Sequence, residues 1–89
     1  MDTETSRQIR IKRLIYRASY TGMKETDLLL GQFAARHLAS LSDGQLNCFE
    51  QMLDAGDPAI LGWVKGDAEV PDRFNTDVLD LIKEFKKTL

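Results

Sequence analysis

Cysteine and histidine each occur once in this chain, as Cys48 and His37, and that scarcity removes several chemistries at the outset. A single cysteine makes no internal disulfide, and one cysteine with one histidine leaves no constellation for zinc. A phosphate cradle needs more glycine in one place than Gly22 supplies, and nucleophilic catalysis needs an activated serine or cysteine beside a base. Neither grouping is present. No apolar run approaches the roughly 20 residues that cross a bilayer, so membrane insertion is not expected. Valine is scarce and no segment alternates over strand length, so no strand is expected either.

What remains is an ordinary globular balance, with 43% hydrophobic and 29% charged residues among 89. That length suits one compact domain, burying about 60–65% of the surface of its unfolded chain. The first eight residues are expected to be a flexible N-terminus and residues 9–89 a helical domain. The N-terminus lacks the apolar core of a secretory signal, and Asp2 and Glu4 disfavour a mitochondrial transit peptide. A bacterial cytoplasm, or an organellar chain already processed, is the expected setting.

The net charge of −2 hides an uneven distribution. Residues 1–24 hold six of the 12 basic residues and two of the 14 acids, a balance of +4, which leaves −6 on the remainder. The basic end is expected to steer toward an acidic patch on a partner.

The periodicity is helical nearly throughout and predicts an all-α, single-domain bundle of about five helices. In the first, Ile11, Leu14, Ile15 and Ala18 form an apolar stripe, while Arg10, Arg13 and Arg17 share a face expected to be exposed. The second runs from about Lys24 to Ser40, with Leu30, Phe33, Ala34, His37, Leu38 and Leu41 turned to the core. Ser42 and Gln45 have the spacing of a capping box for a third helix, in which Leu46, Phe49 and Leu53 face inward. Gly56 is expected to end it. Asp57-Pro58 then has the form of an N-cap with proline at the first helical position, opening a short fourth helix with Ile60, Leu61, Trp63 and Val64. Gly66 should end that helix, and the loop through Pro71 leads to a fifth, capped by Asn75, with Val78, Ile82, Phe85 and Leu89 on one stripe.

The segment Thr21-Gly22-Met23-Lys24-Glu25-Thr26-Asp27 is the candidate working surface. Gly22 permits φ > 0 and a chain reversal between a basic helix and one that opens on carboxylates. Glu25 and Asp27 lie near a helix N-terminus, where the macrodipole favours negative charge. Two residues apart, they face different ways and do not form an acid/base pair. Tyr16 and Tyr20 neighbour each other, and Tyr20, beside the turn, is the better contact candidate. Met23 either enters a partner's groove or fills a gap in its own core. His37 is read as a core-edge residue, Cys48 as a small packing residue and Trp63 as a core anchor.

Several motifs in order carry a family resemblance: R-L-I-Y-R at Arg13 to Arg17, G-M-K-E-x-D at Gly22 to Asp27, and L-L-L-G-Q-F-A at Leu28 to Ala34. The Leu-Ser-Asp start at Leu41 to Asp43 and the stretch from Asp57-Pro58 to Trp63-Val64 follow. From about Arg10 to Phe85 the chain resembles the succinate dehydrogenase assembly factor 2 family. The resemblance implies an assembly chaperone and not an enzyme, binding the flavoprotein subunit of succinate dehydrogenase or fumarate reductase while FAD becomes covalently attached to it. It also implies that FAD is carried by the partner, that this chain binds no cofactor itself, and that a monomer forms a one-to-one complex. Location follows the partner: bacterial cytoplasm, or mitochondrial matrix in a eukaryote.

The family signature is R-G-x-x-E, matched by Gly22 and Glu25, with Thr21 where arginine is expected. That exchange removes a charge and a bidentate donor. It is a lineage difference compensated by Lys24 or Arg17, an engineered exchange, or a weakened contact. Arg13, Arg17, Tyr20, Met23, Lys24 and Asp27 are further partner-binding candidates by position. The competing reading is a small nucleic-acid-binding or antitoxin-like regulator with an arginine-rich helix. Against it, the second helix is apolar and opens on acids, unlike a recognition helix, so no nucleic-acid partner is expected.

Overall fold

A computed structural model describes residues 5–89. Among the described residues five α-helices follow in order: α1 (Ser6–Ser19), α2 (Lys24–His37), α3 (Asp43–Ala55), α4 (Asp57–Lys65) and α5 (Asp77–Lys86). Short 3-10 turns at Leu38–Ser40 and Asp72–Phe74 complete the architecture, and no strand occurs among the described residues. The all-α bundle matches the expectation from periodicity.

Helix starts follow from side-chain chemistry in two cases. At α3 the Ser42 hydroxyl accepts from Gln45 N–H at 3.1 Å while Gln45 Oε1 accepts from Ser42 N–H at 2.8 Å, the reciprocal box its sequence predicts. The same box joins Thr5 and Gln8 at α1. That helix therefore begins at Ser6, inside the segment 1–8 expected to be flexible; residues 1–4 lie outside the described residues.

The core is continuous. Leu14 and Ala18 of α1, Leu30, Phe33 and Ala34 of α2, Leu46, Phe49 and Met52 of α3, Ile60, Trp63 and Val64 of α4, and Val78, Leu79, Ile82 and Phe85 of α5 are all buried. Phe33 sits at its centre, with ring centroids 5.8 Å from both Phe49 and Phe85. Trp63 stacks on Phe74 at 4.9 Å, which seats the loop against α4. His37 packs between Phe33 and Phe85 at the core edge, as expected. Half-buried Cys48 lies against the core with its Sγ 3.2 Å from Thr76 Oγ1.

Several boundaries differ from the expected ones. The α-helical part of α2 stops at His37 and tightens into the 3-10 turn, which carries buried Leu38 before Leu41 leaves the helix. Thr76, not Asn75, occupies the N-cap of α5, because Asn75 is used to close the preceding 3-10 turn. Leu89 lies beyond α5 and is exposed, while Leu79 takes an unforeseen place in the core. Asp57 is the first residue of α4, with Gly56 at the N-cap, so its carboxylate is free to serve another helix.

Of the basic face of α1, Arg13 and Arg17 are exposed as expected and Arg10 is half-buried, but the face also carries pairings to α3. Arg7 donates to Asp43 Oδ1 at 2.6 Å and to the Leu41 carbonyl. Arg10 donates to Asn47 Oδ1 at 2.6 Å and Glu50 Oε1 at 2.9 Å, and Arg17 to Asp54 Oδ1. The pairs advance together along both helices, so α1 and α3 run in the same direction with their charges meshed.

Candidate functional site

Between α1 and α2 the chain reverses in four residues. Tyr20 closes α1 by donating its N–H to the Arg17 carbonyl, Gly22 adopts φ 115°, and Met23 is the N-cap of α2. A φ of that value is in the region L side chains rarely adopt, so glycine is required by the backbone. Space is not the constraint, since a Cβ at Gly22 would meet only Asp57 Oδ2, at 3.9 Å.

Two carboxylates hold this reversal in shape. Asp27 Oδ1 accepts from the Thr21 N–H at 2.6 Å and from the Thr21 hydroxyl. The hydroxyl bond is the chief reason the Asp27 carboxyl is held below its ordinary value; burial opposes it, and the Thr21 and Gly22 backbones add to it. On the other side Asp57 Oδ2 accepts from the Met23 N–H at 2.9 Å. Thr26, fully buried, donates its hydroxyl to the Met23 carbonyl at 3.1 Å. The turn is thus held from within the chain itself.

Around it lies a groove of about 440 Å³ lined by Arg17, Tyr20, Thr21, Gly22, Met23, Leu53, Gly56, Asp57 and Pro58. Five of the nine expected contact residues therefore share one concavity. Lys24, Glu25 and Asp27 stand on the first turn of α2, outside its lining. Glu25 pairs with Lys65 of α4 at 3.4 Å, both groups substantially exposed, and so faces away from Asp27 as its spacing predicts. Arg13 belongs to a separate, smaller hollow of about 280 Å³ with Ile9, Arg10, Leu14 and Glu50. Leu53, Gly56, Asp57 and Pro58 were not foreseen as part of this surface. Asp57-Pro58 carried a visible signal, but its local helix-start reading gave no hint of the distant bond.

Apolar and aromatic side chains are exposed on both helices that the turn joins. Tyr16 and Tyr20 are 69% and 70% exposed with ring centroids 4.7 Å apart, and Leu28 of α2 is 55% exposed. Met23 is partly exposed and contributes to the groove with Tyr20, not to the core cluster. Aromatic and arginine side chains around a shaped groove are the composition of a protein-binding surface. Phosphate tracking is a poorer fit, because Arg7, Arg10 and Arg17 are already paired with carboxylates of α3. Among the described residues no cluster of histidine, cysteine and acids is placed to hold a metal, and no helix is long and apolar enough to cross a membrane.

Comparison with known proteins adds a family to this geometry. The profile of a family described as flavinator of succinate dehydrogenase matches residues 12–86. The chain is 41% identical over 76 residues to the mitochondrial succinate dehydrogenase assembly factor 2 of Dictyostelium discoideum, covering 85% of this chain and 54% of that protein. It is 37% identical over 86 residues to the protein of the same name from Meyerozyma guilliermondii, covering 92% and 64%. Against the mitochondrial assembly factor 2-A of Drosophila erecta it is 37% identical over 82 residues, covering 90% and 51%. The chain thus spans 51–64% of the length of these three relatives.

Proposed function

The chain belongs to the succinate dehydrogenase assembly factor 2 family, and on that premise we propose that it binds the flavoprotein subunit of succinate dehydrogenase, or of fumarate reductase, and promotes covalent attachment of FAD to it. The observation that carries this reading is the preformed turn: Thr21 to Met23, pinned by Asp27 and Asp57, lines one groove together with Tyr20 and Arg17. Preorganisation matters because a rigid loop loses less entropy on binding than one that must first be ordered.

The proposed action is a shift in the partner's conformational population. A binding protein moves an equilibrium only by its differential affinity for the two states, and taking a partner from 1:99 to 99:1 needs about 10⁴-fold preference. Gly22 lets the backbone approach the partner closely, and Tyr20, Met23 and Arg17 fill and orient the contact. Glu25 is held by an exposed ion pair with Lys65, which is exchanged for a partner arginine at little cost. FAD and the group that becomes bonded to it belong to the partner; this chain is the chaperone of a one-to-one complex. Its place is where the flavoprotein is assembled, the mitochondrial matrix or the bacterial cytoplasm.

The test is to express the flavoprotein subunit with and without this chain, denature it, and read flavin fluorescence on the gel. Covalent fluorescence that rises with the chain supports the reading. No difference, with folded protein and ample FAD, overturns it.

A further inference from the structure

Asp57 is a buried carboxylate, 8% exposed, at the floor side of the chain reversal, where it lines the groove. It opens α4, yet its bond goes to Met23, the residue that opens α2, 34 positions earlier. The starts of two helices therefore converge on one negative charge, which both macrodipoles favour.

The need for it lies in the sequence of α2. Helices α1 and α3 each carry a complete local capping box, whereas α2 has methionine at its N-cap and threonine three residues on. Met23 has no side-chain oxygen to cap with, and the Thr26 hydroxyl is turned to the Met23 carbonyl. In a capping box the N-cap N–H is satisfied by the side chain three residues later. Here that N–H is satisfied by Asp57 instead. Lys65, at the far end of the same helix, reaches Glu25. Helix α4 thereby holds both flanks of the segment from Met23 to Glu25.

We propose that Asp57 is the positioning residue of the contact turn, capping α2 from another helix and so fixing where Gly22, Met23 and Glu25 stand when the partner arrives. It lines the groove, but its positioning role runs through the Met23 N–H. The proposal rests on the partner-binding reading above, and its test separates the two.

Amide exchange at Met23 is measured by NMR, and affinity for the flavoprotein subunit by calorimetry, in wild type, Asp57→Ala and Asp57→Asn. Losing the acceptor in Asp57→Ala speeds Met23 exchange and weakens the partner affinity, each by about tenfold or more. Asp57→Asn retains an acceptor oxygen and restores both to within about threefold of wild type. If the alanine variant fails to fold, Asp57→Glu, which keeps the charge but displaces the acceptor, must show the same two losses. Unchanged Met23 exchange in a folded variant overturns the proposal, as does unchanged affinity alongside faster exchange. A wild-type chain that does not bind the flavoprotein overturns the proposed function instead, and Met23 exchange then still decides whether Asp57 holds the turn.

Discussion

Gly31 of α2 lies against Ser19 of α1 so closely that a Cβ on Gly31 would stand 3.2 Å from Ser19 Cα and 2.7 Å from its Oγ. The first of these contacts is to backbone, so no rotamer change relieves it, and α1 and α2 must give by a few tenths of an ångström. This approach brings the end of α1 against α2 and leaves only Tyr20 to Met23 to make the reversal. Gly31→Ala adds helix propensity of about 1 kcal/mol. Overpacking costs about 1–3 kcal/mol and outweighs it. Urea denaturation should show a net loss of stability, and a variant as stable as wild type would mean the two helices are not held at this distance.

Gly22 tests a different cause. Its Cβ has room, so the penalty of Gly22→Ala is conformational, set by φ 115°. An alanine there costs about 1–3 kcal/mol of backbone strain if the turn keeps its shape. Denaturant unfolding reads that cost directly. Gly22→Arg carries the same strain and also fills the partner's approach; it should remain helical by circular dichroism while abolishing flavinylation. Full flavinylation with that variant would remove the turn from the interface.

The Thr21–Asp27 latch makes an acid-side prediction. Asp27 is held below its ordinary value of 3.8, chiefly by the Thr21 hydroxyl. A group whose folded pKa is depressed stabilises the fold fully above its unfolded pKa and loses that contribution as pH falls through the folded one. The latch is therefore intact at neutral pH and opens below the ordinary carboxylate range. Thr21→Val keeps the shape and removes the hydroxyl, so carboxyl NMR should show the Asp27 midpoint rising toward 3.8. An unmoved midpoint would assign the depression to the backbone alone.

The same latch bears on the arginine expected at this position. Thr21 already bonds Asp27 through both N–H and hydroxyl, so Thr21→Arg exchanges the hydroxyl bond for a guanidinium near Asp27 and the groove. The variant should bind the flavoprotein more tightly, by about 1–3 kcal/mol where the arginine finds a buried partner carboxylate. Calorimetry on the two forms decides this, and equal affinities would show that threonine suffices in this chain.

How much of this was legible in the sequence depended on distance along the chain. Local signals were reliable: the Ser42–Gln45 box, the Gly22 reversal, and the apolar stripes of α3 and α4 are all where their spacing put them. The Thr5–Gln8 box has the same S/T-x-x-Q form, but it lies at the polar start of the chain, ahead of the apolar stripe that marks α1. Leu28 is apolar yet exposed, since at 100° per residue three successive leucines cannot all face one core. Pairings between distant segments were not legible. Arg10 with Glu50, Arg17 with Asp54 and Met23 with Asp57 join residues 34 to 40 apart, and no local pattern specifies which arginine meets which acid.

Tyr20 separates binding from folding more cleanly than any residue of the turn. The residue is 70% exposed and its ring touches Tyr16 at the surface, outside the buried core. Surface substitutions of this kind change stability by only about 0.5 kcal/mol. Exposed tyrosines at the edge of a groove are, by contrast, the residues on which binding energy concentrates, with truncations costing about 2 kcal/mol or more. Tyr20→Ala should therefore leave the urea midpoint almost unchanged and weaken affinity for the flavoprotein at least tenfold. Tyr16→Ala, one helical turn further from Gly22, should have a smaller effect on affinity. If the order is reversed, the partner sits along α1 toward Arg13 and its hollow, and the groove beside Gly22 is the periphery of the contact.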